Sequence, residues 1–272
     1  MDLMINKVEQ HNKREDGDYI GDDNLLRCGR CHEPKWAIID GYDKPCPIAC
    51  ACKQKAEEEY KQKERREAIE RNRRECFGAA VTWASNSTFA KDKGYNAKAT
   101  AIAKNYVNKF DELRKDGLGL LLYGTVGAGK SFYSAAVANA LIDAGYRVKA
   151  GTFGELYREE LSERDKSAFL QNLSRYDLVV LDDLGAEQSN ATMKGFVFAV
   201  IDSLYKANTP FIVTTNLSAD ELTNPRDDTS VRVFDRILER CPAPIEIETK
   251  AGSVRRQKIR EAAPQYRNLL GI

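Results

Sequence analysis

The chain has no long hydrophobic run: nowhere do its 272 residues offer the ~18 consecutive apolar side chains that a membrane-spanning helix needs. Met1 to Asn24 are polar and charged and lack the apolar segment of a secretory leader. The expectation is therefore a cytoplasmic protein with no membrane partner. Charge of one sign is not in excess either. With 42 Lys and Arg against 41 Asp and Glu, the net charge is +1, so total charge neither demands nor excludes nucleic acid. Internal repeats and low-complexity tracts are also missing. What is present is a 42% share of apolar residues, enough for a real core in one large domain or in one domain with an appendage. There are also seven cysteines, and in a reducing compartment those that cluster point to metal before disulfides.

Three parts can be separated: a Cys-rich head at 1–52, a charged linker helix at 53–78 and an α/β body at 79–272. Lys53 to Glu75 is mostly Glu, Lys and Arg with few apolar side chains (Ala56, Tyr60, Ala68, Ile69), so it cannot bury a broad face. Its acids and bases are interleaved, which favours a solvated helix with internal ion pairs over a nucleic-acid-binding one. In the body, Asn96 to Leu113 reads as one helix with Ala99, Ile102, Ala103, Tyr106, Val107 and Phe110 on a face. Strands are expected at Leu118–Tyr123, Tyr146–Ala150, Asp177–Leu181, Pro210–Thr214 and Ile245–Glu248. Helices are expected from Lys130 to Ala144, over 153–162 and 165–175, and from Ala191 to Ala207. Strands alternating with helices predict a parallel sheet covered on both faces, a three-layer α/β fold.

The strongest motif is Gly124-Thr125-Val126-Gly127-Ala128-Gly129-Lys130-Ser131, which fits G-x-x-x-x-G-K-[ST] between a strand pattern and a helix pattern. Its glycines let backbone N–H groups turn toward phosphate oxygens, and the helix aims its positive end at them. Lys130 would reach the β- and γ-phosphates of a nucleoside triphosphate, and Ser131 the magnesium ion. The strand Leu178-Val-Val-Leu-Asp182-Asp183 delivers two acids to the same sheet edge. Asp182 suits the Mg2+ shell, and Asp183 can orient and deprotonate the attacking water. The next strand ends in Thr214-Thr215-Asn216, and Asn216 could hold that water. Arg232, Arg236 and Arg240 recur at i, i+4 and i+8, so that one of them could enter a neighbouring subunit's site. Val254-Arg255-Arg256-Gln257-Lys258 is a further basic cluster, suited to phosphate sensing or to a nucleic-acid backbone.

Together with Leu184-Gly185-Ala186-Glu187, these motifs resemble AAA+ ATPases, most of all the DnaC-type replicative helicase loaders, with DnaI and the IstB branch close by. The head is similar to those on phage and prophage members of that group. The resemblance implies a RecA-like P-loop NTPase core that hydrolyses ATP, assembles into a ring or spiral, binds single-stranded DNA and places the replicative helicase. By position, Lys130 and Ser131 match Walker A, Asp182 and Asp183 Walker B, and Asn216 sensor 1. Arg236 matches the arginine finger and Arg255 the sensor-2 arginine, with Arg232, Arg240 and Arg256 as neighbouring candidates. Asp183 stands where many AAA+ proteins carry Glu, which implies slower hydrolysis. The short stretch after the last strand leaves no room for a full helical lid.

In the head, Cys28-Gly-Arg-Cys31 and Cys46-Pro-Ile-Ala-Cys50-Ala-Cys52 place five thiols within 25 positions. A segment this short has too little core to hold itself, so a four-ligand zinc site is expected. The resemblance implies Cys28, Cys31, Cys50 and Cys52 as the ligands, because similar loader heads end in a Cys-x-Cys before a charged helix, with Cys46 and then His32 in reserve. Cys28-Gly-Arg-Cys31-His32 also fits a c-type haem attachment pattern, which leaves the other thiols unexplained. An iron–sulfur cluster and a metal-free head stay open. Cys76 and Cys241 read as small buried side chains.

Rival readings are an IstB-like transposition ATPase, a P-loop nucleotide kinase, and a binding protein in which nucleotide is only a switching ligand. The kinase would need an acceptor pocket and an arginine-bearing lid, whereas Asp183, Asn216 and the arginine helix suit water attack and subunit contact.

Overall fold

The computed structural model describes residues 15–37, 46–78, 84–185, 191–225, 227–248 and 254–270. The chain divides into two compact units, one ending at Ala68 and the other starting at Ile69.

The first unit carries two small antiparallel pairs. Strand β1 (Tyr19–Ile20) pairs with β2 (Leu26–Arg27), and β3 (Trp36–Ala37) pairs with β4 (Cys46–Pro47). Helix α1 (Ala51–Phe77), whose residues from Ile69 on belong to the second unit, contains no Gly or Pro and consists mostly of strong helix formers. Most of it is exposed, as its charge pattern predicts, while Cys76 and Phe77 at its end are buried. Gly78, at φ 49°, stops it.

The second unit is built on β5 (Leu120–Tyr123), β6 (Val148–Thr152), β7 (Leu178–Leu184), β8 (Phe211–Thr215) and β9 (Ile245–Glu246). They form one parallel five-stranded sheet in the order β6-β7-β8-β5-β9. Its helices are α2 (Ala97–Asn108), α3 (Phe110–Lys115), α4 (Lys130–Ala144), α5 (Phe153–Ser162), α6 (Lys166–Leu173), α7 (Ala191–Lys206), α8 (Ala219–Thr223), α9 (Asp228–Arg240) and α10 (Val254–Leu270).

Alternation along the strands feeds two apolar clusters, one on each face. Leu122, Leu178, Val180 and Ile212 join α2 and α4 in one, while Leu121, Val179, Leu181, Phe211 and Val213 join α5, α7 and α9 in the other. Each fully buried aliphatic side chain here contributes roughly 1.5–3 kcal/mol. The three-layer expectation holds.

Three boundaries differ from the sequence pattern. Asn96–Leu113 is two helices, broken at Lys109, which adopts φ −106°, ψ 12°. The strand expected at Tyr146 begins at Val148, because the chain leaves α4 through Gly145 at φ 101° and the Tyr146 N–H returns to the Leu141 carbonyl. Strand β7 runs on through the two acids to Leu184. No helix among the described residues is long and apolar enough to cross a membrane.

Candidate functional site

Because the strands run parallel, the C-terminal ends of β5, β7 and β8 meet at one sheet edge, with Tyr123 and Leu184 both opposite Thr215. The loop after β5 turns there through Gly124, Gly127 and Gly129 at φ 133°, 80° and 107°. A Cβ on Gly124 would lie 2.6 Å from the Ile247 carbonyl oxygen, so the close passage of the chain just after β9 requires glycine. Gly129 is the N-cap of α4 and offers no side-chain cap, which leaves first-turn N–H groups aimed into the loop for an anion. Ala128 is buried, whereas Thr125 is exposed at the rim.

Lys130 is buried, and its amine is saturated at this edge. It donates to the Gly124 carbonyl (2.8 Å), the Thr125 carbonyl (2.9 Å) and Asn216 Oδ1 (2.7 Å). Asn216 Nδ2 in turn donates to Asp183 Oδ1 at 2.7 Å. Burial pushes the Lys130 amine below the usual lysine range, against the opposing pull of the Asp183 and Asp182 carboxylates. The Asp182 carboxylate accepts from the hydroxyls of Thr214 (2.6 Å) and Ser131. Burial raises its pKa, and those two hydrogen bonds act to lower it. Asp183 is exposed to solvent, at φ 61°.

The structure therefore gathers Gly124, Thr125, Gly127, Ala128, Gly129, Lys130, Ser131, Asp182, Asp183 and Asn216 at one edge. Ser131 and Asp182 present adjacent oxygens, the hard donors that Mg2+ prefers. The arginine row is split. Arg236 pairs with Asp202 at 2.8 Å and lies over the rings of Phe198 and Tyr205. Arg240 donates to the carbonyls of Asp116 and Tyr205 and to Asn208 Oδ1. Arg232 is exposed and forms no ion pair among the described residues. The side chain of Arg255, at the start of α10, lies outside those described, as do Ala186 and Glu187.

In the first unit the sulfurs of Cys28, Cys31, Cys50 and Cys52 all lie within 4.8 Å of one another. Cys28 and Cys52 are 3.6 Å apart, and Cys50 and Cys52 3.4 Å. A tetrahedral zinc with Zn–S bonds of ~2.3 Å requires sulfurs ~3.8 Å apart, so the four thiols fit the ion. N–H groups of Cys31 and Arg30 directed at Cys28 lower its pKa to about 6. Cys46, in β4, and His32, whose Nδ1 meets Tyr19 Oη at 3.2 Å, are not members of the group.

Sequence reasoning missed Asp18 and Lys35. They form a buried ion pair at 2.6 Å, and Asp18 Oδ1 also accepts the Gly29 N–H inside the Cys28–Cys31 turn. Burial acts to raise the Asp18 pKa, but Lys35 and the N–H groups of Glu15 and Gly29 outweigh it and hold the value at about 2. In the sequence, Thr214 is only one residue of a polar strand end.

The family model described as IstB-like ATP binding protein matches residues 63–262. Replicative helicase loader DnaI of Bacillus subtilis is 28% identical over 157 residues, 53% of this chain and 50% of the relative. A protein of Sinorhizobium fredii named as an insertion sequence ATP-binding protein is 26% identical over 151 residues, 54% of this chain and 49% of its own. The chain thus spans about half the length of the curated relatives it matches. A crystal structure of the DnaC helicase loader superposes with TM-score 0.51 at 20% identity, covering 61% of this chain and 98% of that one, a likeness of fold.

Proposed function

Since the chain belongs to the IstB-like ATP binding protein family, we propose that it binds ATP at the Lys130 loop, hydrolyses it to ADP and phosphate, and uses that cycle to place a replicative DNA helicase on single-stranded DNA. The observation that carries the chemical part is the Asn216 amide, which joins the Lys130 amine to the Asp183 carboxylate. One side chain thereby links the phosphate-binding loop to the acid that faces solvent.

Lys130 and the first-turn N–H groups of α4 would take the β- and γ-phosphates. Ser131 and Asp182 would hold Mg2+, which supplies positive charge against the phosphate oxygens when bound. Asp183 accepts a proton from water while the water oxygen bonds to the γ-phosphorus and the bond to the β,γ-bridging oxygen breaks, releasing ADP. Asn216 holds that water. The charge that develops is met from a neighbouring copy in a ring or spiral by the arginine helix. Arg236 occupies the finger position, and the exposed Arg232, which has neither the ion pair of Arg236 nor the hydrogen bonds of Arg240 among the described residues, is the one an adjoining copy can meet most freely. Arg255 remains the candidate for sensing phosphate from α10.

Residues 1–52 would form a head closed by zinc on Cys28, Cys31, Cys50 and Cys52, residues 53–78 its linker, and 79–272 the ATPase domain, in a cytoplasmic protein. The head would dock the helicase. The loader name of the DnaI relative supports this cargo. The second reading, an insertion-sequence ATPase acting on duplex DNA with a transposase, is supported by the name of the Sinorhizobium fredii relative.

The test compares the full chain with Lys130→Ala for ATP binding, and assays the wild type for capture of a purified replicative helicase. We expect ATP binding by the wild type only, and helicase capture. Retained ATP binding in Lys130→Ala would remove the nucleotide assignment, and preference for duplex DNA without helicase capture would move the cargo to transposition.

A further inference from the structure

Two consecutive residues of a regular strand point to opposite faces of a sheet, so Asp182 and Asp183 should not both serve one site. The β7–β8 register shows how they do. Leu181 pairs with Val213 and Leu184 with Thr215, so two residues of β7, Asp182 and Asp183, stand opposite the single residue Thr214. This is a bulge, and its effect on phase is visible in the core. Leu181 and Leu184, three apart, would fall on opposite faces of a regular strand, yet both pack in the same apolar cluster. The extra residue is taken up at Asp183, whose φ of 61° is rare for a residue that is not glycine.

A bulge leaves a backbone N–H outside the ladder, and here it is the N–H of Asp183. The hydroxyl of Thr214 accepts that N–H at 2.9 Å and donates its own proton to Asp182 Oδ1 at 2.6 Å. Thr214 is 1% exposed, so water does not replace it. A hydroxyl can serve both acids because it has one proton to give and lone pairs to accept. Thr215 closes the bulge on its other side by donating to the Leu184 carbonyl at 2.7 Å.

We propose that Thr214 is a positioning residue for ATP hydrolysis: its hydroxyl holds the bulge that turns Asp183 toward Asn216 while it fixes the carboxylate of Asp182. The role rests on the hydrolytic reading above. Thr214 touches neither nucleotide nor water in it and acts through the two acids. Its methyl group and hydroxyl distinguish the test variants, since Thr214→Val keeps the shape and loses the hydroxyl, whereas Thr214→Ser keeps the hydroxyl.

The experiment uses the full chain and reads two quantities. The first is steady-state ATP hydrolysis at varied ATP and Mg2+. Thr214→Val should lower kcat by about 10–100-fold and raise the Mg2+ concentration needed, with KM for ATP little changed, and Thr214→Ser should recover most of the loss. The second is amide hydrogen exchange at Asp183, which should accelerate in Thr214→Val and return to the wild-type rate in Thr214→Ser. Wild-type kcat in Thr214→Val would overturn the proposal, as would equal damage from both variants or unchanged Asp183 exchange. A wild-type protein that binds ATP without turnover would sink the hydrolytic reading instead, and the exchange arm would still decide whether Thr214 holds the bulge.

Discussion

Between Glu15 and Cys50 the buried apolar side chains among the described residues are two cysteines, Cys28 and Cys50, whereas the unit from Ile69 onward encloses an apolar cluster on each face of its sheet. The first unit substitutes thiols and one buried ion pair for a core. A chain segment of that size removes too little apolar surface from water to offset its lost conformational entropy, so the missing stabilisation has to come from elsewhere. The two units should therefore fail under different insults.

Metal removal should separate them most widely. We expect one zinc per chain, and its chelation should cost the head on the order of 10 kcal/mol, enough to unfold it, while the sheet unit keeps its melting temperature. Limited proteolysis with and without chelator checks this: cleavage should appear before Cys52 and leave the sheet unit intact. A head equally resistant after the metal has been extracted would show that it is held by something other than the thiol site.

How much of this could be read in advance also differs between the units. The sheet, its covering helices and the loop from Gly124 to Ser131 were legible because period and glycine spacing are local signals. So was the cluster of thiols, while the choice of Cys28, Cys31, Cys50 and Cys52 over Cys46 came from the resemblance to loader heads that end in Cys-x-Cys. Thr214 was not, because its importance arises from a two-against-one register that no single strand displays. Asp18 and Lys35 were hidden for a similar reason: 17 positions apart in a polar stretch, they look like solvent-facing charges until the fold pairs them. The arginine row was legible as a row but not in its roles, since the partners of Arg236 and Arg240 come from α7 and from the turns around Asp116 and Asn208.

The buried pair supplies the next test. Lys35→Met leaves the Asp18 carboxylate in place without its ammonium, and breaking a buried pair from one side costs about 3–5 kcal/mol. The loss should fall on the head alone and be read as earlier zinc release on heating. The sign with pH follows from the lowered carboxyl. Asp18 titrates at about 2 in the fold against 3.8 ordinarily, so its contribution is complete above the ordinary value and disappears as pH falls toward 2. The gap between wild type and Lys35→Met should narrow as pH falls, starting where the Asp18 carboxyl of the variant takes up a proton, which lies above the wild-type value of about 2 because burial still raises it and the ammonium that lowered it is gone. A gap that does not shrink on acidification would mean that Asp18 is not the group left exposed to the loss.

The sheet unit contains the same chemistry in a wetter place, which gives the smallest and most discriminating comparison. Arg236 and Asp202 pair at 2.8 Å with side chains 26% and 17% exposed, against 4% and 2% for Lys35 and Asp18. Partial exposure lets water screen the Coulombic attraction and rehydrate whichever charge is left behind, so Arg236→Ala should cost about 1 kcal/mol, including its contact with the Phe198 and Tyr205 rings. Arg232→Ala, at an exposed position, should change stability by less than about 0.5 kcal/mol. Thermal unfolding of the two variants, with zinc content as a control that should not move, checks both values. If Arg236→Ala proved as costly as Lys35→Met, burial would not be what separates the pairs, and Arg236 would be fixed too firmly in its own subunit to serve a neighbour's nucleotide.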